Sequence, residues 1–490
     1  MAISIPNYSD SNIVPGFYFS LDNRNANTAT ITRRVLLIGQ ITSTAQATAG
    51  IVEQALAGSE ANTRYGAGSQ LAQMVLAYRN IDTFGEVWAL PLADDAQATS
   101  ATATITIENP ASQEGVISLY IGDNLLSIRI SRMDTTQTIA QAITTAVTAN
   151  PTLPVSAIAS NNSVMLTAKN KGESLNALSL TLNLLGASNG QTTPPGLKLT
   201  LTPFTGGAVN PVSALEVALS QLGDKFFDLF IIPYTDTESL DALEQFLNDT
   251  SGRWSPMAEL YGHVLTAFSG TYGQATTLGN SRNNQHETIL ATSDSPSEPW
   301  KWAAQAGAQI ALSIRQNPAL PITQLELTVR PPTQQFPVSQ RNSLLYDGIS
   351  TFTVSDSGSV ILERLVTTYT DNPAGLPDNS YRDIETLMTS VVCMQDLHTF
   401  LASQYGRFIL VDDAAKIPAG VPATTAQLIK AAVVSRYRTQ AQNLWVQNTD
   451  RFAANIRVEN AGSGTVKLFL PYQFANQLRI IAGTLQFTKP

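Results

Sequence analysis

Short, uninterrupted apolar runs set between amphipathic helical stretches narrow the folds open to this chain more than any other feature. RRVLLIGQ from residue 33, VWALPL from residue 87 and FFDLFIIP from residue 226 are too short for typical helices. They also lack the apolar–polar alternation of a half-exposed strand. Runs of this kind suit strands buried on both faces, as when helices cover both sides of a parallel sheet. Between the first two lies GAGSQLAQMVLAYR. There Ser69 can cap a helix whose Leu71, Met74, Val75 and Tyr78 share one face. Strand, helix, strand predicts an α/β core. Helices over 211–222, 238–248 and 300–315 and strands over 262–268 and 288–292 continue the alternation, and a hairpin is expected from 349–354 and 360–368 around Ser357 and Gly358.

From 96 to 203 the sequence turns to Thr, Ala and Ser with short alternating strands. Ile117, Leu119 and Ile121 share a face, residues 122–124 turn, and Leu126, Ile128 and Ile130 return. A helix over 138–150 carries Ile139, Ile143, Ala146 and Val147 on one stripe. Strands are expected over 164–168 and 178–184, then a Gly/Pro/Thr linker over 186–196. This stretch reads as a small β-rich domain inserted into the core. The last hundred residues predict helices over 381–405 and 424–442, the second presenting Leu428, Ala431, Ala432 and Val434 to a core. Strands over 456–459, 465–470 and 478–487 follow. Near the start, Phe17, Phe19 and Leu21 alternate with Tyr18, Ser20 and Asp22, the period of a half-buried strand. A strand isolated in this way must find a sheet to join, in its own subunit or another's.

Catalytic chemistry finds little purchase. The three histidines, His263, His286 and His398, are scattered, and no HExxH, CxxC or comparable ligand spacing occurs. No G-x-S-x-G elbow is present, so no catalytic residue, metal site or cofactor is expected. Gly66, Ala67, Gly68 and Ser69 open a helix as a phosphate loop would, but lack the GK[ST] of a P-loop. Cys393 is the one cysteine, which excludes an internal disulfide and fits a reducing compartment. The opening residues show no basic stretch followed by an apolar one, and no apolar run approaches the roughly 20 residues that span a bilayer. A soluble chain without membrane insertion is expected.

Charged residues make up 14% of the chain, against about 25% in ordinary globular proteins. A polar, weakly charged surface favours protein–protein contact, because fewer ions are desolvated at each interface. The net charge of −9 argues against direct nucleic-acid binding. Its distribution is uneven: 391–490 holds ten Lys and Arg against five Asp and Glu, a net of +5 that leaves −14 for the rest. Lys430, Arg436 and Arg438 lie in that basic portion and are candidates for facing an acidic partner.

Several blocks, in order, resemble the tail sheath family of contractile phages, in particular the sheaths of Mu-like phages. They include VPGFYFSLDNRNAN, RRVLLIGQ, YGAGSQLAQMVLAYR, EVWALPLADD, GVISLYIGDNLLSIRIS, RNSLLYDGISTFTV and YGRFILVDD. The resemblance implies a subtilisin-like but non-catalytic α/β sheath core over 31–95 and 204–390. It also implies a protruding domain over 96–203 and an α+β domain facing the tail tube over 391–477. Extended terminal strands complete it: an arm within 1–30, carried by Phe17, Tyr18, Phe19, Ser20, Leu21 and Asp22, and a final strand over 478–490, carried by Leu478, Ile480, Ile481, Leu485 and Phe487. These would add to sheets of neighbouring subunits. The implied partners are further copies of the chain, in hexameric rings stacked as a helix, the tail tube protein, and baseplate and tail terminator proteins. The implied location is the virion tail, assembled in the host cytoplasm, and the implied role is contraction for genome delivery. A sheath from a non-phage injection system or tailocin fits the same residues.

Overall fold

The computed structural model describes residues 33–55 and 58–489. The strand expected at 17–22 lies outside them. Six parallel strands form the centre of the main sheet, side by side in the order Glu86–Leu92, Arg34–Gln40, Leu229–Ile231, His263–Ser269, Glu287–Ser293 and Ile349–Val354. Glu53–Gln54 pairs antiparallel at one edge, and Val360–Arg364 and Leu325–Leu327 extend the other. Counted along the chain, the parallel order is 2-1-3-4-5-6, so the winding direction reverses between the Arg34–Gln40 and Leu229–Ile231 strands.

The continuous apolar runs are explained by two buried faces. Val35 and Leu37 join one hydrophobic cluster, and Leu36 and Ile38 join another. Helices Gln70–Arg79 and Pro299–Gln316 supply the first cluster; Val212–Ser220 and Thr237–Leu247 supply the second. Gly307 lets the long helix settle on the sheet, since a Cβ there would come within 2.1 Å of Ile231 Cδ1.

The 96–203 stretch leaves and returns side by side, with Thr99 bridged to Ala208 and Thr102 to Thr205. Gly115–Ile121 and Asn124–Ile130 form the expected hairpin, with Ile117 opposite Ile128 and Leu119 opposite Leu126, and Leu180–Leu182 adds a third strand. A second sheet runs Lys198–Leu201, Thr102–Asn109, Ser163–Ala168, Val155–Ser160. Helix Thr136–Thr148 buries Ile139, Ile143 and Val147 against strands of both sheets. The interior of this stretch is continuous with the sheet's first face: Ile105, Ile121 and Ile143 belong to the same apolar cluster as Val35 and Trp300.

Helix Ile384–Tyr405 runs unbroken across 390/391. Its first half buries Ile384, Met388 and Val392 in the main cluster, and its second half buries Cys393 and Leu397 in a third. That third cluster is completed by helix Ala426–Gln442, Val446, Phe452 and Ile456. Two expectations need correction here. The buried stripe of Ala426–Gln442 is Ile429, Val433, Tyr437 and Gln440, while Leu428 is 49% exposed. The stretch 478–487 forms no strand and pairs with none within the described residues.

Candidate assembly surfaces

The end of the described chain is held to the body and then abruptly released. Tyr472 packs edge-on against Tyr437 and Phe452, which stack with ring centroids 3.8 Å apart. Gln447 N–H donates to Gln473 O at 2.9 Å, Ala475 N–H donates to Trp445 O at 3.0 Å, and Phe474 bridges to Val446. Arg479 then donates to the buried Glu385 at 2.9 Å and lies 3.0 Å from Asp383. Leu478 points away and is 69% exposed, the alternation of extended backbone laid on a surface. Past this point Ile480, Ile481, Leu485 and Phe487 are 81%, 85%, 90% and 77% exposed. No backbone hydrogen bond joins 480–489 to another described residue. Five large apolar side chains and a row of amides open to a strand partner are therefore presented to solvent, the features of an interaction surface.

A matching feature lies in the same region. Arg457–Gly462 and Thr465–Phe469 form a two-stranded antiparallel sheet of their own, with Glu459 opposite Lys467. Val458 and Val466 pack toward the third cluster, whereas Leu468 and Phe469 are exposed. Neither outer edge has a ladder partner among the described residues. A lone hairpin is marginal in water, and its open edges are templates for further strands.

The basic candidates separate into two kinds. Arg436 forks onto Asp396, donating through Nε at 2.8 Å and also through Nη2, and lies over the Phe400 ring. The Asp396 carboxylate beside it raises its pKa despite partial burial. It ties helix Ala426–Gln442 to helix Ile384–Tyr405. Arg438 is exposed and Lys430 half-buried, and neither has an ion-pair partner among the described residues.

The positions where an α/β protein would carry chemistry are filled by the protein itself. At the reversal of winding, Gln40 Nε2 donates to Asp94 Oδ1 and Lys171 O, both at 2.7 Å. Asn170 Nδ2 donates to Ile41 O at 3.0 Å. Inserted-stretch residues thus occupy the crevice in which ligands of such folds usually sit. The Gly66–Ser69 turn is closed in the same way: Gln70 N–H donates to Asn170 Oδ1 at 2.9 Å and Ala72 N–H to Ser69 Oγ at 3.1 Å, so those N-terminal donors are taken.

His263 and His286 stand side by side at the starts of neighbouring strands, and His398 lies elsewhere on helix Ile384–Tyr405. His263 is buried against Thr288 Oγ1 at 2.8 Å, and burial, helped by His286, pushes its pKa down to about 3. His286 meets Asp249 at 2.8 Å and stacks on Trp254, and exposed His398 meets Glu259 at 2.8 Å. Among the described residues no group of three or more His, Cys, Asp or Glu could hold a metal ion. No helix there is long and apolar enough to cross a membrane.

Sequence reasoning missed the polar lock between the inserted stretch and the core. Lys301 Nζ lies 2.7 Å from Asp123 Oδ1 and 2.8 Å from Glu298 Oε2. Arg330 Nε donates to Asp123 O at 3.2 Å. Gly122, at φ +60°, seats the hairpin tip on Glu298; a Cβ there would come within 2.2 Å of Glu298 Oε1. Burial raises the Glu298 carboxyl pKa and Lys301 partly offsets it. These residues are 174 or more positions apart from their partners across the joint, and no local pattern marks them.

An α/β body whose switch-point crevice is filled by its own residues thus carries an exposed apolar end and an unpaired hairpin, the features of a subunit that assembles with others. Residues 207–368 match the phage tail sheath protein central domain. The chain is 31% identical over 493 residues to the Mu-like prophage FluMu tail sheath protein of Haemophilus influenzae, covering 99% of this chain and 100% of that one. It belongs to the phage tail sheath family, and its role is that of a contractile sheath subunit, a structural protein and not an enzyme. Among solved structures it is similar to the sheath tail protein of Desulfitobacterium hafniense, at 11% identity and a TM-score of 0.49, covering 94% of this chain and 97% of that one. It is also similar to Lin1278 of Listeria innocua, at 13% identity and a TM-score of 0.48, covering 92% and 94%.

Proposed function

We propose that copies of this chain polymerise as hexameric rings stacked in a helix around a tail tube, linked by exchanged terminal strands. The observation that carries the reading is the release of the chain after Arg479 into an exposed, apolar segment with no backbone hydrogen bond to any other described residue. The open edges of the Arg457–Gly462 and Thr465–Phe469 hairpin in a second copy offer the ladder that this segment lacks. The arm carrying Phe17, Tyr18, Phe19, Ser20, Leu21 and Asp22 supplies the other strand.

Head-to-tail contacts that do not close generate a helix, and strand links let bodies slide without separating. Contraction is then a switch between two packings of one rigid body, in which the bodies rotate into larger contacts. A gain of about 1–3 kcal/mol per subunit suffices when many copies move together. The core supplies the stiffness: it follows the non-catalytic, subtilisin-like α/β plan of the family, over 31–95 and 204–390, with 96–203 carried outside. The 391–477 portion faces the tube, with Lys430 and Arg438 among its cations that have no ion pair within the described residues and Arg436 as an internal tie. The tube protein, baseplate and terminator are the partners, the virion tail the location and the host cytoplasm the place of assembly.

Deleting 480–490 tests the linkage. The cut leaves the Arg479 contact in place, so the truncated subunit should keep its helical circular dichroism and remain monomeric on sedimentation. Normal tubes from that variant would refute strand exchange.

A further inference from the structure

The last side-chain anchor of the described chain before its exposed end is made to helix Ile384–Tyr405. In its first turn, Glu385 is wholly buried, accepts Ile322 N–H on Oε1 at 2.7 Å and accepts Arg479 on Oε2 at 2.9 Å. Asp383, 3.0 Å from Arg479, is itself forked by Arg364 at 2.9 and 3.0 Å. Further along the helix, Gln395 Oε1 accepts Arg33 Nη1 at 2.8 Å. The same nitrogen donates to Asp228 Oδ1 at 3.0 Å, and the other oxygen of that buried carboxylate accepts Arg34 N–H at 2.8 Å. Glu385 and Gln395 are ten residues apart, about 15 Å along a helix axis.

We infer that Arg479 is a positioning residue that fixes the exit of the exchanged C-terminal segment, and that helix Ile384–Tyr405 is the strut that holds this exit to the body. The inference rests on the strand-exchange reading and deepens it. Arg479 neutralises a carboxylate that is otherwise stranded in the interior, so the exit cannot lift off without leaving a buried charge unpaired. Motion of this end is thereby confined to 480–489, which spans at most about 36 Å when extended. The helix is embedded in two apolar clusters, so it cannot shift independently of the body. A pull on the segment reaches the body through this strut.

The test uses full-length Arg479→Ala with Glu385→Gln, which removes the buried charge while Gln keeps an acceptor for Ile322 N–H. Glu385→Gln alone and Arg479→Lys are companions, the latter keeping the charge and losing the planar fork. Hydrogen exchange is followed by mass spectrometry in free subunits and in assembled sheath. In free wild-type subunits protection should end between 479 and 480, and in the double variant it should retreat to about 475, with exchange at 476–479 rising about tenfold. Arg479→Lys should raise it about threefold, which decides the matter if the double variant does not fold. In assembled sheath the double variant should exchange faster at 480–489 and show a broadened subunit rise in micrographs, with the melting of the body unchanged. Exchange and rise equal to wild type in both states overturn the anchor alone. Wild-type sheath in which 480–489 exchanges freely overturns strand exchange, and the anchor with it.

Discussion

Replacing Lys301 with Met should destabilise the joint between the inserted stretch and the core in a way that depends on pH. Lys301 is the cation closest to Glu298, at 2.8 Å, and the Glu298 side chain is 0% exposed. Burial already raises the Glu298 pKa above its ordinary 4.5, with Lys301 pulling it back. Removing the cation raises it further, so the folded state binds a proton that the unfolded chain releases above pH 4.5. Stability is then retained at low pH and lost as pH rises. A stranded buried charge costs about 3–5 kcal/mol. Protonation limits that cost, at about 1.4 kcal/mol per pH unit above 4.5, to about 4.8 kcal/mol at pH 8 and about 0.7 kcal/mol at pH 5. Urea denaturation followed by tryptophan fluorescence reads the loss, because buried Trp300 and Trp302 flank the site. Adding Glu298→Gln should recover most of the stability at pH 8 and flatten the pH dependence. An equal deficit at pH 5 and pH 8, or one below about 1 kcal/mol at pH 8, would refute the electrostatic reasoning.

His263 should set part of the acid limit. Its pKa falls from 6.5 to about 3 on folding, so stability is full above pH 6.5 and declines below it, by about 2 kcal/mol at pH 5; His263→Gln should remove that part of the slope in urea titrations. Lys430→Glu with Arg438→Glu should weaken co-assembly with the tube protein without lowering the melting temperature, because neither residue is ion-paired within the described residues. Co-sedimentation at low and moderate salt checks this, and unchanged recovery would remove the charge argument.

Much of the core was legible because its signals are local. Buried strands carried continuous apolar runs, Ser69 capped its helix as its sequence suggested, and the hairpin from Ile117 to Ile130 turned where expected, with both expected apolar faces buried. Helix Ala426–Gln442 misled because polarity ranks its residues poorly. Gln440 is buried, donating to Cys393 O and Asp396, and Tyr437 stacks on Phe452, so the real stripe is offset from the most apolar one. The segment from Leu478 was read as a strand, and its alternation does appear where it lies on the body. A strand, however, is defined by its neighbours, and among the described residues it has none. Contacts such as Arg33 with Asp228 or Arg479 with Glu385 join residues 195 and 94 positions apart, and only the folded topology brings them together.

Electron cryomicroscopy of the assembled sheath, at a resolution that traces the chain beyond Arg479, puts strand exchange to its most direct test. Six-fold helical tubes are expected in which 480–489 lies in a ladder with the Arg457–Gly462 and Thr465–Phe469 hairpin of another copy. Density showing 480–489 folded back onto its own body, with no sheet shared between copies, would contradict it.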